Sequence, residues 1–559
     1  MKKNKKRVNH EKNIFIYSGL VSMTLVQSCY DDKGNYDYHA VNDMKVEIPE
    51  AKIRMPKENP ATVTLTPELT QTLAENEDNL TFEWKKLKPD AKIGSMRLAD
   101  YTDYSTGKIC QVEVEPNNPE SIGMMLIVTD KTTGQKWYQL GKVAVVKPLN
   151  PAWFVLQEDA DQKGIVGAIE GNPDGFFAYA DVFKSETGES FSLEGKPLAI
   201  AAKGNYGYGS MGGTKFANLT IATDKNIATY SPSTLTMKYG TNKILFENAL
   251  NNVPVNLSYY KMDKKGEMFV TDKKAYFAYD DGWCVPYSVY DKQVNSDGEE
   301  EQVAFLPTCS ATFSNYVLAY NPATHRFRIG SAFSSMMDYF GTSYYYSQYY
   351  RRGSQWKDKK PLVFRDLSED ADGNYAFDPS NVDASLQILD ILRGGDNGNY
   401  AYAVMASEGA SQITVFRFSN ADDPLCAGKY TIDLDPSIDL KTAKFAASQA
   451  YSAHFIFMAA GNSVYRIDME RQKIEKIYSY DADANAKIAC LKFRDPEDAE
   501  NGNGMILGFG INTSAGQGLL GELKLTIAGD VDRSENASYI FQDANNRFGK
   551  IVDISYNYE

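Results

Sequence analysis

Few residues in this 559-residue chain are spaced for chemistry, and Cys29 is the clearest of them. Its thiol follows an apolar run over residues 14–26 and precedes Tyr30-Asp31-Asp32, while Lys2, Lys3, Lys5, Lys6, Arg7 and Lys12 stand ahead of the run. A cationic and then an apolar stretch reads as a secretory signal, and the thiol stands directly behind it. The other cysteines, Cys110, Cys284, Cys309, Cys426 and Cys490, form no CxxC and no metal-type spacing, so they read as scattered buried thiols. A disulfide between Cys284 and Cys309 is not deducible from sequence. Of four histidines, His10 and His39 lie near the N-terminus, and His325 and His454 stand alone. A zinc site or a Ser/His/Asp triad needs His beside a suitable partner, and neither isolated histidine offers one in sequence. Asp370-Ala371-Asp372-Gly373-Asn374 opens like a calcium loop but has no Glu at the bidentate position, so it reads as a turn. Gly394-Gly395-Asp396-Asn397-Gly398-Asn399 is a turn by composition, and no Walker-type phosphate loop occurs. Carboxylates are too abundant for a glycosidase pair to be picked out without geometry. No catalytic residue, metal or cofactor is expected.

The second candidate is a cluster of rings and guanidinium groups within residues 338–356. Tyr344, Tyr345, Tyr346, Tyr349, Tyr350, Arg351, Arg352 and Trp356 fall within thirteen positions. Tyr and Trp faces stack on sugar rings or peptide side chains at low entropy cost, and paired arginines bind carboxylates bidentately. These residues are the expected ligand contact. The competing expectation is a long loop that packs its own tyrosines.

The elements that position these residues begin with residues 1–28. The apolar run is 13 residues long, too short for a bilayer core of about 30 Å and suited to a secretory signal. Val26-Gln27-Ser28-Cys29 resembles a bacterial lipobox, with a branched apolar residue at −3, a small residue at −1 and Cys at +1. That resemblance implies lipidation of Cys29 and cleavage before it. Removing residues 1–28 takes away six basic and one acidic side chain, moving the net charge from −14 to about −19. Such a polyanion excludes nucleic acid as a partner and disfavours anionic lipid headgroups. Residues 29–42 are polar, with no apolar period, and read as a tether.

Residues 43–148 alternate in short strands. Thr62-Val63-Thr64-Leu65-Thr66, Leu80-Thr81-Phe82-Glu83-Trp84 and Met124-Met125-Leu126-Ile127-Val128-Thr129-Asp130 are the clearest. About 100 residues with this turn spacing predict an immunoglobulin-like β-sandwich. Pro148-Leu149-Asn150-Pro151 marks a boundary. Beyond it, residues 152–559 carry a loose repeat of small-residue opening strands followed by apolar second strands and more polar third strands. Opening strands near 198, 255, 305, 386, 443, 487 and 551 predict a β-propeller of about seven blades. The region begins on a second-type strand, Trp153-Phe154-Val155-Leu156-Gln157, and ends on an opening-type strand around 550–556. Pairing the two would close the ring. The fold class expected is therefore all-β, a sandwich followed by a closed propeller. The gap of roughly 80 residues between the fourth and fifth openings holds the Tyr-rich insertion.

Ser28-Cys29-Tyr30-Asp31-Asp32-Lys33-Gly34-Asn35-Tyr36-Asp37-Tyr38, together with Phe82-Glu83-Trp84 and Leu126-Ile127-Val128-Thr129-Asp130…Gly134, resembles the PKD-like family of Bacteroidota surface lipoproteins. The resemblance implies that Asp31 and Asp32 act as a surface-export signal, leaving the protein lipid-anchored in the outer membrane and facing outward. It further implies a setting beside SusC/SusD-type TonB-dependent transporters that take up glycans or peptides. The expected role is a non-catalytic binding or accessory subunit. A propeller hydrolase or lyase acting on polysaccharide, and a host-glycan adhesin, are the alternatives.

Overall fold

The computed structural model describes residues 42–558 apart from 73–75, 119, 174, 207–215, 240–256, 264–265, 272–273, 280–287, 290–292, 295–296, 298, 300–307, 312–313, 332–361, 368–374, 420–424, 497, 499–501 and 543–547. Cys29, Asp31, Asp32 and the whole Tyr344–Trp356 cluster lie outside the described residues, as does Cys284. The protein is all-β. Among the described residues no helix is long and apolar enough to cross a membrane.

Two compact units divide the chain. The first comprises Met1–Ala51, Thr64–Val112 and Ile122–Val143, and the second Lys52–Val63, Glu113–Ser121 and Ala144–Glu559. In the first unit, Leu80–Leu87 lies in a five-stranded sheet between Tyr101–Thr106 and Ile122–Asp130, both antiparallel to it. The alternation of Leu80-Thr81-Phe82-Glu83-Trp84 places Leu80 and Trp84 on the buried face and leaves Thr81 and Glu83 in water. Trp84 is fully buried, and its indole N–H donates to the Gly107 carbonyl at 3.0 Å. At the far end of Ile122–Asp130, the Asp130 carboxylate accepts the backbone N–H of Thr132 at 2.7 Å, and Asn42 and Asn79 donate to it. Those bonds, the Thr132 N–H foremost, hold its carboxyl below the usual range and fix the turn that Gly134 completes at φ +70°.

Among the described residues, seven sheets follow beyond residue 151. Each is an antiparallel run of four strands, and the fourth gains a short parallel strand, Gln293–Val294. Their first strands are Lys550–Asn557, Pro197–Tyr206, Leu257–Asp263, Thr308–Ala311, Gln387–Gly394, Lys444–Ala446 and Lys487–Phe493. All fall within a few residues of the expected openings. The first sheet draws on both ends of the region, since Ala152–Glu158 pairs antiparallel with Lys550–Asn557 on one side and Gly164–Asn172 on the other.

Middle strands such as Tyr400–Ala406 and Ser463–Asp468 are buried almost throughout, because sheets stack on both of their faces. Separate apolar cores fill the space between the fourth and fifth sheets (Phe327, Phe416, Phe418), the fifth and sixth (Val404, Ile456), and the sixth and seventh (Phe457, Phe509). Two more lie between the seventh and first (Trp153, Leu520) and the first and second (Phe154, Ile221). Sheets joined by these cores stabilise one another.

Trp153 fits between the seventh and first sheets because Gly508, on Ile506–Asn512, has no side chain. A Cβ there would stand 2.3 Å from the indole ring. Gly508→Ala is expected to cost about 1–3 kcal/mol by overpacking. A urea midpoint unchanged from the parent's would show that the ring does not sit there.

Candidate functional site

The first strands come together. Leu257–Asp263 touches Pro197–Tyr206, which touches Lys550–Asn557, and the series continues through Lys487–Phe493 and Lys444–Ala446 to Gln387–Gly394. Small residues on these strands (Ala199, Ala201, Ala202, Ala446, Ala489) allow the close approach.

Where three of these strands meet, the Lys492 ammonium donates to Asp553 Oδ2 at 2.6 Å and to the Ile200 carbonyl at 3.1 Å. The same Asp553 oxygen accepts the Ile200 N–H at 3.0 Å, and Ser555 Oγ accepts the Ala202 N–H at 2.8 Å. Asp553 is nearly buried, whereas the Lys492 side chain is 39% exposed, and the bonds to Asp553 and Ile200 use two of its three N–H groups. Lys492 and the Ser555 hydroxyl can thus donate to a hydroxyl, carbonyl or carboxylate of a bound molecule.

Beside it lies a fully engaged polar cluster. Arg494 donates to Glu522 through Nε at 2.6 Å and Nη2 at 2.7 Å, and the Trp153 indole N–H donates to the same carboxylate. The guanidinium also stands 4.6 Å from the centre of the Tyr556 ring. Bidentate pairing and the cation–π contact satisfy the buried charge, and the cluster links the seventh sheet to the first. Just past the first strands of the fifth, sixth and seventh sheets, Gly395 N–H donates to Ser448 O at 2.9 Å, Asn397 N–H to Gln449 O at 3.1 Å, and Gln449 N–H to Pro496 O at 2.7 Å. The Gly394–Asn399 composition thus forms its turn, with φ positive from Gly395 through Gly398, and the turn clasps the next sheet's loop.

A second charged cluster lies within the second unit, of which Lys52–Val63 is a part. Arg54 bonds Glu170 through Nε at 3.1 Å and Nη2 at 3.1 Å, and reaches Glu186 at 2.7 Å, while Lys57 pairs with Glu186 at 2.5 Å. Burial alone would raise the Glu186 carboxyl, yet the Lys57 and Arg54 hydrogen bonds hold it below its ordinary value.

The expectation that both histidines stand alone is corrected. His454 Nε2 lies 3.2 Å from Ser452 Oγ, and Nδ1 lies 3.6 Å from Glu470, which arrives from the hairpin between Ser463–Asp468 and Lys473–Ser479. Sequence separation hid the carboxylate. Glu470 is 64% exposed and beyond hydrogen-bond reach, so it does not form the buried relay a triad needs. Together with Met469 N–H on the His454 carbonyl, the trio pins loop to hairpin. His325 Nδ1 meets Tyr320 Oη at 3.3 Å.

Cys110, Cys426 and Cys490 are buried free thiols. Burial pushes Cys426 and Cys490 up to about 12, so they stay protonated and unreactive at neutral pH. Among the described residues no group of three His, Cys, Asp or Glu side chains gathers to hold a metal. No motif or spacing in the sequence marks Lys492 or Asp553. Their only signal was placement on opening strands.

Residues 29–197 match the PKD-like family. The PKD-like match begins at Cys29 and runs past the proline boundary into the second unit. None of the curated proteins matches the chain. Among solved structures, it is similar to a quinonprotein alcohol dehydrogenase-like protein from Bacteroides thetaiotaomicron, at 13% identity over 88% of this chain and 96% of that one, with a TM-score of 0.37. A putative phosphatase from the same organism is similar at 10% identity over 78% and 85%, with a TM-score of 0.29. A Synechocystis apocarotenoid oxygenase variant is similar at 9% identity over 90% and 97%, with a TM-score of 0.31. TM-scores this low carry no conclusion about this chain.

Proposed function

We propose that this chain is a Bacteroidota surface lipoprotein, anchored through Cys29 in the outer membrane. It serves as a non-catalytic binding or accessory subunit of a SusC/SusD-type uptake complex for glycans or peptides. The observation that carries the reading is a coincidence of position. The PKD-like match starts at Cys29, the residue at which lipobox cleavage would begin the mature chain, with Asp31 and Asp32 directly behind it. The seven sheets close into a propeller of seven blades in this reading, supported by the pairing of Ala152–Glu158 with Lys550–Asn557 and by the apolar cores between successive sheets. Tyr344, Tyr345, Tyr346, Tyr349, Tyr350, Arg351, Arg352 and Trp356 form the ligand contact, and Lys492 adds a polar donor.

The test is a mild-detergent pull-down from outer membranes. A SusC/SusD-type pair is expected to co-purify in near-stoichiometric amount. Recovery of this protein by itself would sink the accessory-subunit reading.

A further inference from the structure

We propose that Arg417 binds the carboxylate of a sugar acid, at the rim of the core between the fifth and sixth sheets. It lies on Gln412–Ser419, the third strand of the fifth sheet, opposite Tyr402 on one neighbouring strand and Gly428 on the other. Its guanidinium carbon stands 5.1 Å from the centre of the Tyr400 ring and 5.2 Å from that of Tyr430. The rings come from the two flanking strands, Tyr400–Ala406 and Cys426–Asp433, and both pack against that core. Room for Tyr430 depends on a missing side chain, because a Cβ at Gly428 would stand 2.7 Å from the ring and from its hydroxyl. The rings thus hold the guanidinium in place and offset part of its charge.

What Arg417 lacks is an acceptor. Nη2 reaches the Ala427 carbonyl at 3.4 Å, and Nε is buried with no hydrogen-bond partner. Arg54, Arg328, Arg466 and Arg494 each pair with a carboxylate, whereas Arg417 pairs with none among the described residues. A cation drawn partly out of water without an anion destabilises the chain, and a bound anion removes that cost. Asp396, in the turn ahead of Tyr400, is exposed to water and makes no bond to Arg417. Arg417, Tyr400 and Tyr430 are all half-buried, so the group still meets solvent.

The chemistry of the three side chains selects the ligand. A carboxylate is planar and pairs bidentately with the open edge of a guanidinium, while a tetrahedral phosphate or sulfate is broader than the space between two rings favours. The Tyr400 and Tyr430 hydroxyls have no hydrogen-bond partner among the described residues, and each can both donate and accept. A sugar acid carries hydroxyls beside its carboxylate to meet them, and an acidic peptide does not. The net charge of −14 disfavours a run of acids, so one uronate in an otherwise neutral glycan fits best. The site needs neither the lipid on Cys29 nor a transporter, so it and the uptake reading fail separately.

The test is a ligand-detected NMR titration of the chain from Tyr30 onward, which carries both units and no lipid. The probes are glucuronate, glucose and N-acetylglutamate α-amide. Glucuronate is expected to bind about tenfold or more tightly than glucose, since a charge-assisted bidentate bond separates the two. Arg417→Met keeps an unbranched stem between the rings and should abolish that preference, with a urea midpoint at or above the parent's. Tyr430→Phe keeps the ring and should weaken glucuronate about threefold. Glucuronate bound no better than glucose, or bound equally by Arg417→Met, would overturn the site and leave the uptake reading standing. The glutamate amide bound as tightly as glucuronate would overturn the choice of a sugar.

Discussion

Glu522→Ala is expected to destabilise the protein by about 3–5 kcal/mol, the cost of leaving a buried charge without its partner. The Arg494 side chain is only 10% exposed and that of Glu522 4%, so neither can turn to water when the other is removed. The substitution also takes the acceptor from the Trp153 indole, itself fully buried. Both losses fall between the seventh sheet and the first, where the end of the chain meets strand Ala152–Glu158. Equilibrium urea unfolding checks the magnitude. A double variant, Arg494→Met with Glu522→Leu, is expected to recover most of the loss, because two apolar side chains of similar volume need no hydrogen-bond partners. If Glu522→Ala cost less than about 1 kcal/mol, the pair would be behaving as a solvent-screened surface bridge.

Cys29→Ala is expected to move the protein entirely from the membrane fraction to the soluble or precursor pool. Each buried methylene contributes about 0.8 kcal/mol, so a lipid carrying several acyl chains holds a protein almost irreversibly, whereas one chain holds it only marginally. No intermediate partitioning is therefore expected. Fractionation with metabolic labelling by a radioactive fatty acid reads both steps, and label should be absent from the variant. A Cys29→Ala protein that stays on the cell surface would remove the foundation of the functional reading.

The positions of the opening strands are legible because a strand covered by neighbouring sheets carries small and apolar residues in a short continuous run. Leu198-Ala199-Ile200-Ala201-Ala202 and Ala486-Lys487-Ile488-Ala489-Cys490-Leu491 are such runs. Trp153-Phe154-Val155-Leu156-Gln157 could likewise be read as a strand lacking an earlier neighbour, and its partner lies at the other end of the chain. The carboxylate beside His454 is hidden in the sequence for the converse reason. The neighbours Ser452 and Glu470 come together through a loop and a hairpin, and no local pattern announces that meeting.

Sequence alone determined the strand character of the chain, the places where its sheets open, and the register of Lys-rich leader, apolar run and Cys29 on which the proposed anchor rests. These are local properties, set by side-chain type and spacing along a few residues. Only the tertiary structure decided which charges are buried and what satisfies them. Arg494 with Glu522, Arg54 with Glu170, and Lys492 with Asp553 are separated by 28, 116 and 61 positions, and their sheets bring them within hydrogen-bond distance. A charge leaves water only where its partner is already held, and that depends on how sheets stack, which no single stretch of sequence encodes.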